Sequence, residues 1–594
     1  MHAVNLELAV IGNCQISALL DERGAIVWCC LPRPDGDPVF SALLSPAEGV
    51  GRFAIEMANF ARSEQRYLSN TAIVETILHD TQGAALRIVD FCPRFRSRGR
   101  MFRPMSLARI VEPAVGRPAV RIVLSPTRCY GQRAAPTLGG SSHQSFRSRD
   151  VGYRVTTDFS LTAIEEGRYV VLDRPVHFLL GPDETVEESL ASLLGSMLAE
   201  TRIYWQDWVR TLSIPCEWQE AVIRAAITLK LCTYEDTGAL LAALTTSIPE
   251  APDSGRNWDY RYCWLRDSYF VIQAMNRLGV TGTMEAFLHF IDNIVSSNSA
   301  GALQPLYSIS GEPRLEEYPV PSLQGYRGMG PVRIGNDAAV QNQHDVYGSV
   351  ILAATQLFFD ARLVSRGDKT LFDRLQLLGE HASSMYELPD AGPWELRGTQ
   401  QVHTFSAAMS WAGCDRLVRI ANRIGDPASA ARWRPTAQNM RSRILTRAWN
   451  ESRAAFASTL GGSDLDASTL LLPELGLIAA DDPRFVATVA TIGRELRHGD
   501  LLFRYRHADD FGEPQTSFAI CAFWYVNALH GCGQVEEARA LFERLLSRRT
   551  RLGLLSEDIA PATGELWGNF PQTYSMVGII NSALRLSRSW EEML

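Results

Sequence analysis

Two glutamates stand out by their neighbours. Glu395 lies in Gly392-Pro393-Trp394-Glu395-Leu396-Arg397-Gly398, behind an indole and ahead of a leucine. Buried there, its carboxyl would hold its proton to higher pH, which suits a general acid; exposed, it is an ordinary loop glutamate. Glu557 lies in Leu554-Leu555-Ser556-Glu557-Asp558-Ile559, again among apolar residues, with Asp558 and Glu565 as rivals in the same loop. Solvent exposure or helix capping is the plainer account of each of these three acids. A third segment, Arg256-Asn257-Trp258-Asp259-Tyr260-Arg261-Tyr262-Cys263-Trp264-Leu265-Arg266-Asp267, interleaves aromatic with charged residues. Aromatic faces cover the apolar faces of a sugar ring, while arginine and aspartate bond its hydroxyls. The same residues would serve equally as a helix start with core aromatics and an Arg266–Asp267 ion pair. A fourth segment runs from Asn298 to Asn336 and carries Pro305-Leu306-Tyr307, Gly325-Tyr326-Arg327-Gly328 and Val332-Arg333-Ile334-Gly335-Asn336, suited to a site wall or to an ordered surface loop. Two carboxylic acids facing each other across an aromatic pocket would cleave a glycosidic bond. One protonates the leaving oxygen; the other activates water or attacks as nucleophile.

Such loops need a scaffold that brings them together. Apolar periodicity from Glu217 onward predicts about twelve helices, beginning near Glu217, Arg266, Thr281, Asp337, Leu371, Thr404, Pro427, Asp466, Pro483, Pro514, Val535 and Gln572. Glycines at Gly279, Gly425 and Gly533 mark helix ends. All four segments lead into even-numbered helices, so an (α/α)6 barrel would gather them at one end. The pattern alone also fits an irregular helical domain. Before Pro182 the pattern is different: short apolar runs flank turn signals such as Asp21-Glu22-Arg23-Gly24, Thr81-Gln82-Gly83 and Glu165-Glu166-Gly167. Closely spaced short strands predict an antiparallel β-sandwich. Between the two, Thr185 with Glu188 reads as a capping box opening a helix through Leu190, Leu194, Met197 and Leu198 towards Trp205 and Trp208. The predicted organisation is an N-terminal antiparallel β-sandwich over 1–182, a linker helix over 183–215 and an (α/α)6 barrel over 216–594.

Composition removes other classes. Over 594 residues, 58 Lys and Arg face 66 Asp and Glu, a net charge of −8 that lacks the basic footprint of a nucleic-acid binder. No apolar run is long enough to span a membrane, and Met1 to Ala9 does not open a secretory signal. The 11 cysteines are scattered with no C-x-x-C pair, which predicts reduced thiols in a cytoplasmic protein. The histidines show no H-E-x-x-H and no cysteine partners at ligand spacing, so no structural zinc is expected.

In the stretches NWDYRYCWLRDS, PVRIGNDAAVQNQHDVYG, GPWELRG and LLSEDIAPATGELWGNFPQTYS, occurring in this order, the chain resembles the glucoamylase/trehalase-like glycoside hydrolases of family 15. Ile11-Gly12-Asn13 through Trp28 to Phe40 resembles that family's bacterial N-terminal sandwich. The resemblance spans nearly the whole chain and implies the sandwich, linker helix and barrel. It also implies hydrolysis of terminal α-glucosidic bonds with inversion, Glu395 being the general acid and Glu557 the general base. It places Tyr260, Trp264, Arg266 and Asp267 around the terminal glucose, Arg504 of Phe503-Arg504-Tyr505 on the sugar, and Trp394 beside the acid. No metal or organic cofactor is implied. The chain departs from the family pattern at Val402-His403, Ala407 and Met576, which bears on the subsites beyond the terminal glucose.

The resulting expectation is an inverting exo-acting α-glucosidase that releases glucose from the non-reducing ends of α-glucosides or maltooligosaccharides. The alternative is a trehalase, which needs the same two glutamates. A sugar phosphorylase would need no general base, and a non-catalytic carbohydrate-binding protein would need neither acid. Glu395 together with Glu557 argues against both. The expected partner is a small α-linked glucose substrate, with no nucleic acid and no membrane; a homo-oligomer is left open.

Overall fold

The computed structural model describes residues 5–45, 49–297 and 302–593. Met1–Val4, and the first residues of the loop expected from Asn298, lie outside them.

Two antiparallel sheets occupy the N-terminal part. One runs in the order Ala9–Gly12, Ser17–Leu20, Ile26–Leu31, Arg52–Met57, Ala119–Ser125 and Val170–Val171, with Asp37–Phe40 also paired to Ile26–Leu31. The other runs Leu138–Gly139, His143–Arg147, Gly152–Thr157, Val176–Pro182, Leu107–Val115, Ala85–Phe91, Val74–Asp80 and Phe60–Tyr67. Alternate residues point to one face of a strand, and here Phe53, Ile55 and Met57 share a core with Leu86, Ile88, Val155 and Phe178. Phe53 meets Phe178 edge-on at 5.5 Å. Between Tyr169 and Pro182 the chain forms two strands: Val170–Val171 joins the first sheet and Val176–Pro182 the second. Glu165-Glu166-Gly167 closes a short helix, Leu161–Glu165, which Ser160 caps.

The Leu190–Arg210 helix bridges the two parts. Leu190 and Leu194 pack on the sandwich with Val89 and Phe91, whereas Trp205 and Val209 belong to the helical core. It begins later than the Thr185–Glu188 signal predicted, at Ser189, which makes no side-chain cap. Asp183 is bonded by Ser145 and Arg154 at 2.8 and 2.7 Å, which keeps the chain on the sheet up to that point.

Beyond 215, among the described residues, six helical elements pack each on the next: Leu265–Arg277, Asp345–Phe359, Thr404–Ile424, the pair Ala467–Leu471 and Leu472–Leu475, Ala519–Gly531 and Thr573–Leu586. The last packs back on the first, closing a ring. Gln219–Leu231, Thr281–Ser297, Lys369–Met385, Pro427–Ala448, Pro483–Glu495 and Val535–Leu546 lie against its outside. Two starts differ from the periodicity. Asp337 opens a 3-10 turn capped by Asn336, and the helix proper begins at Asp345. Pro514 is followed by an extended pair, Ser517–Phe518, hydrogen-bonded to Asp558–Ile559, so helix formation waits until Ala519. Both delays leave non-helical chain where the site lies.

Candidate active site

Residues 242–264 form an extended loop whose Ala242, Ala243 and Ser247 amides donate to the carbonyls of Tyr262, Tyr260 and Trp258. Extended backbone sends successive side chains to opposite sides. Trp258 and Tyr260 therefore line a pocket, together with Trp264, Arg266 and Asp267 from the start of the next helix. Asp259 and Arg261 turn away and form a fully buried ion pair at 2.7 Å. Arg261 also donates to the Gly36 carbonyl at 2.8 Å, and Trp28 Nε1 to the Leu244 carbonyl at 2.9 Å, so the sandwich braces the loop from behind.

Glu395 sits on a tight turn. Its amide donates to the Gly392 carbonyl at 3.2 Å, and its φ is +60°, a left-handed backbone that a glutamate rarely adopts. Gly392, at φ +68°, has no room for a side chain without a shift: a Cβ there would lie 2.6 Å from the His403 ring. Glu395 Oε1 accepts from Trp264 Nε1 at 2.6 Å, Arg266 at 3.1 Å and Gln343 Nε2 at 3.3 Å. Trp394 is anchored separately, Nε1 donating to Asp466 Oδ2 at 2.7 Å.

Glu557 is buried, and its Oε1 accepts from Tyr260 Oη at 2.6 Å. Its other oxygen, Oε2, has no protein partner among the described residues. Burial pushes its carboxyl well above the usual range; the like charges of Glu250 and Asp558 add to this, and Tyr260 and Arg504 oppose it. Asp267 is pushed up to about 7 by burial, against the pull of Arg266.

Every residue expected around the sugar borders one pocket of about 920 Å³, counted to its open mouth: Glu395, Glu557, Tyr260, Trp264, Arg266, Asp267, Trp394 and Arg504. The rivals separate. Asp558 is buried one position along the strand pair and does not line the pocket, while Glu565 is bonded to Arg327 at 2.7 Å. Of the fourth segment, Asn336 reaches the pocket, and the Arg333 guanidinium lies over the Trp258 ring at 4.8 Å.

Several lining or anchoring residues escaped the sequence reading. Tyr574, Trp524 and Phe518 line the pocket. Tyr574 follows Gln572 in a stretch already singled out, and that was its only signal. Asp466 was read merely as a helix start. Glu250, which bonds Arg504, carried no local signal at all. Among the described residues, no group of three or more His, Cys, Asp or Glu is arranged to hold a metal ion. No helix among them is long and apolar enough to cross a membrane.

Comparison with known proteins agrees with this arrangement. Residues 218–584 match the model of glycosyl hydrolases family 15, and residues 2–137 match a trehalase-like N-terminal model. A trehalase of Mycolicibacterium smegmatis is 33% identical over 98% of this chain and 91% of its own length. A trehalase of Thermoplasma volcanium is 30% identical over 98% of this chain and 93% of its own. In fold, a bacterial glucoamylase complexed with acarbose aligns over 99% of this chain and 94% of that one with a TM-score of 0.70 at 14% identity. An aromatic pocket that holds two carboxylic acids, on a chain matched along nearly its whole length, makes this protein a glycoside hydrolase that belongs to glycosyl hydrolases family 15.

Proposed function

We propose that the protein is a trehalase, hydrolysing α,α-trehalose to two glucoses with inversion. The observation that carries this is the one-third identity to a protein named trehalase, sustained over 98% of the chain. The glucoamylase-like reading gives way to it, because the likeness to a glucoamylase, at 14% identity, speaks for fold alone. The six-in-six helical arrangement is read as an (α/α)6 barrel over 216–594, preceded by a linker over 183–215 and a sandwich over 1–182, in a cytoplasmic enzyme.

In this reading the terminal glucose sits at the buried end, against Trp264, Arg266, Asp267 and Arg504, and the second glucose points to the mouth. Glu395 gives its proton to the glycosidic oxygen as the C1–O bond breaks. A water attacks C1 from the opposite face and loses its proton to Glu557. The free Oε2 of Glu557 supports this role, since it has an oxygen to spare for a water. Inversion at one centre of α,α-trehalose releases one β- and one α-glucose.

Glucose release from trehalose, maltose, isomaltose, maltotriose and soluble starch tests the reading. The expected result is a preference for trehalose of at least an order of magnitude in kcat/KM; a preference for maltotriose restores the glucoamylase-like alternative. NMR of the first trehalose turnovers should show the two anomers in equal amounts, and two α-anomers would exclude inversion.

A further inference from the structure

We propose that Glu250 is a positioning residue that holds Arg504 in the pocket and draws that cation's charge away from Glu557. The inference rests on Glu557 acting as the base.

Glu250 is 5% exposed, and both its oxygens are committed. Oε1 accepts from Trp258 Nε1 at 3.1 Å and Oε2 from the guanidinium of Arg504. Its backbone is equally fixed. The Glu250 carbonyl accepts from Thr516 Oγ1 at 2.8 Å, and its amide donates to the Arg256 carbonyl at 3.2 Å. The preceding Pro249 carbonyl accepts from Gly568 at 2.8 Å. Gly568 in turn abuts Glu557: a Cβ on it would lie 2.7 Å from Glu557 Oε2. Glu250 is thus clamped between the segment bearing Arg504 and the segment facing the base.

The charges around Glu557 come from three elements. The 242–264 loop supplies Glu250 and the hydroxyl of Tyr260. The segment that leads into the Ala519–Gly531 helix supplies Arg504. Asp558 follows Glu557 in the chain. Arg256 is nearby but bound to Asp509 through two bonds of 2.7 and 2.6 Å. Burial and then Glu250 push the Asp558 carboxyl up to about 8. Arg504 favours the ionised form of Glu557, but its direct bond is to Glu250. Glu557 is left buried with a like charge beside it, and the bond from Arg504 to Glu250 limits how far that cation favours the ionised carboxylate. A glutamate whose only task was to pack Arg504 would leave the protonation of Glu557 unchanged when neutralised.

The test is the acid limb of kcat/KM against pH, measured on whichever disaccharide the wild type cleaves fastest. Glu250→Gln removes the like charge and releases Arg504, so the limb should move down by about one pH unit. Arg504→Gln removes the cation and should move it up. An unmoved limb in folded Glu250→Gln, whatever happens to its rate, overturns the proposal. If that variant does not fold, an unmoved limb in Arg504→Gln overturns it instead. Glu557→Gln keeps the two failures apart. Near-normal turnover in that variant removes the base itself, whereas an inactive Glu557→Gln with an unmoved Glu250→Gln limb removes only the role of Glu250.

Discussion

Tyr260 and Glu557, 297 positions apart, share one hydrogen bond of 2.6 Å, with Tyr260 Oη donating to Glu557 Oε1. Four residues further along the same loop, Trp264 Nε1 donates to Glu395 Oε1, also at 2.6 Å. The rings of Tyr260 and Trp264 pack edge-on with centroids 5.3 Å apart. One aromatic pair therefore spans the two carboxylic acids and orients both.

Loss of the tyrosine hydroxyl has a signed consequence. The bond favours the ionised form of Glu557. Tyr260→Phe should therefore move the acid limb of kcat/KM to higher pH and lower the rate about 10-fold, as for a hydrogen bond to a charged group. A lower rate with an unmoved limb would mean that Tyr260 only packs.

The two acids are separable by leaving group. Glu395→Gln and Glu557→Gln should each cut trehalose turnover by about 10²- to 10⁴-fold. Fluoride departs without a proton, so α-glucosyl fluoride should restore much of the rate to Glu395→Gln and none to Glu557→Gln. Rescue of the wrong variant would exchange the roles.

Gly392 controls the acid through backbone geometry. An alanine there meets the His403 ring and an unfavourable φ, so the turn that presents Glu395 must shift. A misplacement of about 1 Å can cost 10²-fold in rate, and Gly392→Ala is expected to approach that loss with the overall fold intact by circular dichroism. Activity within twofold of wild type would show that the turn absorbs the side chain.

Stability should fall as pH rises, in part through Asp390. Burial pushes its carboxyl up to about 7, opposed by the His344 amide, which donates to Oδ2 at 2.8 Å. Its folded value lies above the unfolded value of about 3.9, so the folded state binds the extra proton between those limits. The associated stability is present at low pH and is lost as pH rises through about 7. Asp390→Asn keeps a neutral side chain throughout. Its Tm should drop less than that of the wild type between pH 5 and 8, and parallel curves would remove Asp390 from the account.

The sequence by itself determined the family stretches, the two glutamates in their apolar settings, the β-then-α order and the approximate helix starts. These are local properties: a spacing of 3.6 or 2, a glycine after a last turn, an acid beside an indole. What the periodicity could not supply was the ring closure and everything that depends on it. Glu250 and Arg504 are 254 positions apart, and nothing near either announces the other. Glu557 and Asp558 are adjacent and chemically alike. Only the strand pair between Phe518 and Asp558 decides that Glu557 lines the pocket and Asp558 does not. The Thr185–Glu188 signal failed for the same reason, because Asp183 is held by partners in strands 29 and 38 positions earlier. Local pattern sets which elements form. Long-range hydrogen bonds and charge pairing, made only after the chain closes on itself, decide which side chains meet.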